Sequence, residues 1–388
     1  MSPRSNSATP HSTITSPRSV LTSPRSATYP KSINKKFEGL PLGTDAFRLD
    51  NLEANSIILD DEVLDDERWT TLAFSLGIPT KGRQRASPES CRVAQKMKKR
   101  KAHSESQIFD IVNPFIESLV SQHSRLSRKT KCQYWCDAVP TREDFRNTVK
   151  RLPTPAPSIS VGYKNEFSTA QEELMTGLIA GLNGEPCDLQ RVSQPVPNHF
   201  WPFFVVEISD QSMDIATQAS AVSAATCNNA VTLLSAAAAD NERSWTGKSA
   251  VFDDKFARSF SLSIHGKIAR LSTHGPEGPV RYVSNPIANF QLDNETEVAV
   301  LADRLHSIFV WAHYNRLGEV VAALDQLERK VHGRLSGFTL AEASYEFDPA
   351  MLKMLTLQAP KRPARVKVAL RAGLPRWMRV ASPGLKTS

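Results

Sequence analysis

Residues 203–208 read Phe-Phe-Val-Val-Glu-Ile, with Pro202 before them and polar Ser209-Asp210 after. A short apolar run rich in aromatic and β-branched residues, bounded in this way, spells a strand buried on both faces in a sheet covered by helices. Its one charge, Glu207, is conspicuous. A carboxylate inside such a strand is costly unless it has a partner or a role.

Working outward, residues 215–239 form a helix rich in Ala and Ser, small enough to lie close to a sheet. Two strands follow at 260–265 and 267–272 with a tight turn at His265-Gly266, and a short strand lies within 281–290. Residues 295–327 place Val298, Leu301, Leu305, Phe309 and Val310 at helical spacing, with a break near Gly318. Upstream, Ser104-Glu105-Ser106-Gln107 is a capping box opening a helix whose apolar face is Ile108, Ile111, Val112, Phe115, Ile116 and Leu119; Pro114 starts or kinks it. Pro-rich residues 152–157 lead into an alternating strand at 158–163, and 169–182 has a helical pattern ending at Gly181 or Gly184. The order of helix, strand, helical insert, strand, helix, hairpin, strand and helices predicts an α/β fold with a mixed central sheet flanked by helices.

Much of the rest is unsuited to a core. Residues 1–36 hold three Ser-Pro-Arg units (at Ser2, Ser16 and Ser23), six Lys/Arg and no acid, and are expected to be a disordered arm. Residues 37–103 are expected to be an acidic segment, with apolar runs at 56–59 and 69–76 that suit one or two small helices or a partner-binding segment, followed by a basic linker at 81–103. Residues 104–335 make the domain and 336–388 a disordered basic tail. The last 30 residues carry eight Lys/Arg and no acid; without them the chain's 48 Lys/Arg fall to 40, equal to its 40 Asp/Glu, so the net charge of +8 is a property of the tail.

Five cysteines, odd in number and scattered, lack zinc-site spacing and fit a reducing compartment. The absence of an apolar stretch of roughly 18 residues argues against membrane insertion. His265, His274 and His313, and the pair Cys132 and Cys136, have no metal-ligand spacing and read as structural or surface residues.

Three stretches, LPTPAPSISVGY (152–163), 202–233 (PFFVVEIS through CNNAVTLL) and 260–327 with Ser284-Asn285-Pro286-Ile287 and Phe309-Val310-Trp311, together resemble an uncharacterised domain family of filamentous fungi over residues 104–330. That family's core in turn resembles the PD-(D/E)XK nuclease, or restriction-endonuclease-like, fold. There a strand-borne Asp and a Glu-x-Lys on the next strand meet at a metal: two carboxylates hold Mg²⁺ and the lysine activates the attacking water. Carried over, Pro-Asp falls on Pro157-Ser158 and Glu-x-Lys on Glu207-Ile208-Ser209. Ser158 and Ser209 are thus degenerate motif positions, and a hydroxyl replaces neither charge. The resemblance implies a pseudoenzyme with no cofactor.

The alternative is an active nuclease that has rebuilt its Mg²⁺ site from Glu207, Asp210, Gln218 on the following helix and Glu105 in the first helix. Asp210 would need a bulge to reach it. Against both stands the plain possibility that Glu207 is a strand-end acid paired with Arg or Lys, and that Ser158 and Ser209 are ordinary strand-end residues. Arg83, Arg85, Lys98, Lys99, Arg100 and Lys101 have the two-cluster form of a nuclear-import signal, or are a solvated charge run. The Ser-Pro-Arg units suit proline-directed kinases or DNA phosphates, and the C-terminal tail, with Trp377 among its cations, suits nonspecific nucleic-acid contact. The expectation is a noncatalytic nuclear protein whose partners are nucleic acid through basic segments, an import receptor, or other proteins, with no membrane association. A pure protein scaffold is the third reading.

Overall fold

A computed structural model of the chain describes residues 40–64, 66–80, 87–99, 104–134, 152–180, 186–238, 257–276 and 281–336. In chain order the elements are a one-turn helix α1 (Asp45–Phe47), β1 (Ile57–Leu59), α2 (Asp66–Leu76), α3 (Pro88–Lys99), α4 (Glu105–Val120), β2 (Leu126–Thr130) and β3 (Ile159–Tyr163). Then come α5 (Thr169–Met175), a small antiparallel pair β4 (Leu178–Ala180) and β5 (Pro186–Asp188), and α6 (Leu189–Ser193). The chain continues with β6 (Phe200–Ser209), α7 (Met213–Ala238), β7 (Ser259–His265), β8 (Ile268–Pro276), β9 (Tyr282–Gln291), α8 (Glu295–Trp311), a π-helical turn (Ala312–Arg316) and α9 (Leu317–Ser336).

Seven strands form one mixed sheet in the order β1-β9-β8-β7-β6-β3-β2. β6 pairs parallel with β7, β1 pairs parallel with β9, and the other neighbours are antiparallel. All ten residues of β6 are buried, as the apolar run at 203–208 predicts. The helices cover both faces. On one, α7 sets serines against the strands; on the other, Phe204 of β6 packs edge-on against Phe309 of α8 at 5.3 Å, beside the apolar face of α4.

Local chemistry explains most boundaries. Ser104 and Gln107 close the expected capping box on α4, which then runs through Pro114 on its exposed side rather than starting there. The β7–β8 hairpin turns at Gly266 with φ of 57°. The break expected near Gly318 is the π turn just before it, and Gly318 itself lies inside α9. The helix expected over 169–182 ends at Met175, because Thr176 and Gly177 turn back onto Glu173 and Leu174 and the chain enters β4.

The folded body also extends further toward the N-terminus than the expected start at 104. The run 56–59 supplies β1, an edge strand on β9, and α2 buries Trp69, Ala73 and Leu76. The segment expected as a basic linker contains α3, whose Val93, Ala94 and Met97 join the same core. Its low overall hydrophobicity hid an apolar stripe only about one residue wide per turn. β2, too polar to announce itself as Leu-Ser-Arg-Lys-Thr, is held as an edge strand by its pairing to β3. The arm at 1–36 and the tail beyond 336 lie outside the described residues.

One end of the sheet is fastened by a buried cation. Trp201 has φ of 45°, and the β3–β6 register shifts between Val161 and Tyr163. Gly162 permits this approach, since a Cβ there would stand 2.6 Å from the Phe200 carbonyl. Beside this irregularity the carbonyls of Trp201 and Pro202 are met by Arg316 of the π turn, which donates to them from Nη1 (2.9 Å) and Nη2 (3.4 Å). Its guanidinium lies 5.7 Å from the Tyr163 ring centre and 5.5 Å from that of Phe203, fully buried. Arg316→Met, which keeps the stem and removes the donors, is expected to lower stability by about 3 kcal/mol in urea unfolding.

Candidate functional site

Glu207 lies near the C-terminal end of β6, opposite Ser263 of β7 on one side. On the other, Ile159 of β3 faces Val206, so continuing that register by one residue sets Ser158 against Glu207. The two positions that the nuclease resemblance relates are therefore neighbours across one strand pair. Above them runs α7, whose Ser220, Ser223, Ala224 and Cys227 recur at intervals of three, one and three residues and so form the stripe facing the sheet. Ser223 Oγ donates to Glu207 Oε1 at 2.8 Å, and Ser220 Oγ sits 2.8 Å from Ser263 Oγ.

Burial pushes the Glu207 carboxyl up to about 7; the Ser223 hydroxyl opposes this and the Glu105 carboxylate adds to it. Among the described residues Glu207 makes no ion pair with an Arg or Lys, and its hydrogen bond there comes from Ser223. The buried Cys132, whose Sγ is 4.0 Å from the Pro157 carbonyl, is within electrostatic reach of Glu207, and burial holds its thiol up at about 11. Cys132 is thus a neutral thiol at ordinary pH, not a nucleophile.

The other named positions have mostly structural work. Ser209 Oγ accepts from the backbone N–H groups of Gln211 (3.1 Å) and Ser212 (3.3 Å), closing the turn into α7. The Ser158 carbonyl accepts from Lys131 N–H at 2.9 Å. Asp210 is exposed on the turn, and Glu105 is exposed in the first turn of α4. Gln218 is engaged elsewhere. Its Oε1 accepts from Gly43 N–H at 2.6 Å and its Nε2 donates to the Thr44 carbonyl at 3.2 Å, pinning the chain before α1 onto α7. Gly43 has φ of 86°, and a Cβ there would collide with Ile215. Among the described residues no group of three His, Cys, Asp or Glu side chains is arranged to hold a metal ion. The set of Glu207, Asp210, Gln218 and Glu105 thus offers no assembled Mg²⁺ site.

Of the import cluster, Lys98 and Lys99 are exposed in the last turn of α3, where they also complement the helix C-terminus, with Met97 buried beside them. Arg83, Arg85, Arg100 and Lys101 lie outside the described residues.

Two histidine clusters were not evident from spacing. His199, fully buried, has Nδ1 2.7 Å from Ser127 Oγ and Nε2 2.8 Å from Ser160 Oγ, and Ser160 continues to Tyr134 Oη at 2.8 Å. Burial drives its pKa down to about 3, so it is a neutral bridge within the core. His123 meets His306 and His313, which are seven residues apart on one helical stretch, with ring centres 5.4 and 5.6 Å from His123. Burial, then the two neighbouring imidazoles, lowers His123 to about 4. His274 is fully buried against Ser261 Oγ at 2.7 Å and His265 Nδ1 lies 3.1 Å from the Ser209 carbonyl, both structural as expected. The partner of Glu207 was legible in principle, because the Ser/Ala stripe of α7 marks which hydroxyls meet the sheet. The contacts of His199 and His123 join segments far apart in sequence and leave no local signal, whereas His306 and His313 are two turns apart on one helical stretch.

Residues 92–324, from within α3 to within α9, match the family described as Domain of unknown function (DUF7924). No curated protein and no solved structure matches the chain.

A carboxyl raised on folding from 4.5 to about 7 binds its proton more tightly in the folded state, so its contribution to stability is complete at low pH and is lost as pH rises through 7. Glu207→Gln keeps an acceptor for Ser223 and removes that loss. The variant is expected to match the wild type near a pH of about 4.5 and to exceed it at a pH of about 8 by up to about 3 kcal/mol in urea unfolding.

Proposed function

We propose that this chain, which belongs to the DUF7924 family, is a noncatalytic nucleic-acid-binding module on a PD-(D/E)XK-like core. The observation that carries the proposal is the surroundings of Glu207. Hydrolysis at such a site needs a second carboxylate to share the metal and a cation to stabilise the developing anion. The strand neighbour that would carry the first is Ser158, and Ser209, which would carry the second, spends its hydroxyl on a turn. Glu207 itself is covered by α7, hydrogen-bonded to Ser223 and near half-protonation at neutral pH, which weakens it as a ligand for a hard cation.

Binding rather than chemistry is favoured by the charge pattern. The 30 C-terminal residues add eight cations and no acid, and Lys96, Lys98 and Lys99 project from α3. The same lysines, with Arg83, Arg85, Arg100 and Lys101, motivate a nuclear location reached through an import receptor. The rebuilt-nuclease alternative has in its favour only the electrostatic reach between Glu105 and Glu207.

With labelled DNA or RNA and added Mg²⁺, the purified chain is expected to leave the strands intact while binding them with an affinity that falls about tenfold or more between low and physiological salt. Cleavage that disappears in Glu207→Ala would overturn the proposal. Binding indifferent to salt would point to a protein scaffold instead.

A further inference from the structure

The end of the sheet opposite Glu207 carries two large aromatic rings in solvent. On α2, Trp69, Ala73 and Leu76 face the core, while Phe74 leaves 85% of its surface exposed. On the π turn, Tyr314 leaves 69% exposed between the buried Ala312 and Arg316. The two backbones are tied together, since Asn315 Nδ2 donates to the Gly77 carbonyl at 3.2 Å and Gly77 N–H bonds back to the Phe74 carbonyl. Tyr314 also has a rigid base: its ring meets His313 edge-on at 4.5 Å, and His313 packs on His123.

The turn beneath is anchored as well. Tyr163 Oη donates to the Ala312 carbonyl at 3.0 Å, and Arg316 reaches Trp201, so the platform stands about 20 Å along β6 from Glu207. Next to it, the exposed Arg125 is within electrostatic reach of His313, and the backbone N–H of the exposed Lys164 donates to the Arg125 carbonyl at 2.9 Å. Glu166 is the acid facing His313 there. Rings standing singly, Phe74 on a helix and Tyr314 on an anchored turn with Arg125 near its base, suit stacked bases and a phosphate chain better than the continuous side-chain packing of a protein interface.

We propose that Phe74 and Tyr314 form a stacking platform for the bases of a single-stranded nucleic acid, with Arg125 and Lys164 facing its phosphates. This rests on the nucleic-acid reading above and places the contact at the end of β6 away from Glu207.

The test uses the full chain and two labelled strands of equal length, one with bases and one abasic, in DNA and RNA arms. The wild type is expected to prefer the strand with bases. Phe74→Ala and Tyr314→Ala should each reduce that preference about tenfold with no change in thermal midpoint, since both rings are exposed. Arg125→Glu should weaken both strands alike and flatten the salt dependence. A preference for DNA or for RNA identifies the source of the strand, and either supports the proposal. If both strands bind but neither aromatic variant alters the preference, the platform is wrong while the binding function stands. If no strand binds, both fall.

Discussion

Small side chains on α7 set the distance between a 26-residue helix and the sheet beneath it, and much of the architecture follows from that distance. Ser220 meets Ser263, Ser223 meets Glu207, and Ser259 of β7 reaches back to the Ala224 carbonyl at 3.2 Å. A Leu or Phe in this stripe would lift the helix and break every one of these contacts together. Hydroxyls between helix and strands satisfy one another only at close range, so this layer is specified by polar geometry where the opposite face relies on aromatic packing. The same closeness removes water from Glu207 and raises its pKa, so the carboxyl owes its proton affinity to helix packing.

The central architecture was legible because it is written in short-range signals. The run at 203–208, the capping box at Ser104, the Gly266 turn and the Ser/Ala helix each state their element with a handful of residues, and the observed fold contains all of them. What was not legible depends on distant partners. Leu126–Thr130 becomes a strand only because β3 offers it a ladder, and Ile57–Leu59 becomes β1 because β9 has a free edge. The candidate site divides in the same manner. Glu207 stood out as the one charge in an apolar strand, whereas the diversion of Gln218 to Gly43 depends on a contact 175 residues away in sequence.

Glu207 is a buried acid with no ion pair among the described residues, and a buried carboxylate without a counter-charge is destabilising. Here the difficulty is lessened in two ways, by a hydroxyl from Ser223 and by a pKa that lets the group bind a proton near neutrality. Both are features of a group being accommodated. At the far end of β6, Arg316 solves the converse problem, supplying a buried cation to carbonyls on an irregular stretch of strand and screening it with two aromatic faces.

The pairing of β1 with β9 has a further consequence for the family boundary. The matched span begins at residue 92, yet the strand that covers β9 ends at Leu59, and the chain after it continues along the same edge, with Asp60 N–H on the Ser284 carbonyl and Leu64 N–H on the Pro286 carbonyl. A fragment trimmed to the family span would uncover the rim of β9 from Tyr282 to Pro286, with Pro286 the built-in interruption to its donors. Such a rim invites intermolecular strand addition, so self-association of the trimmed fragment would report a missing cover and not a native oligomer.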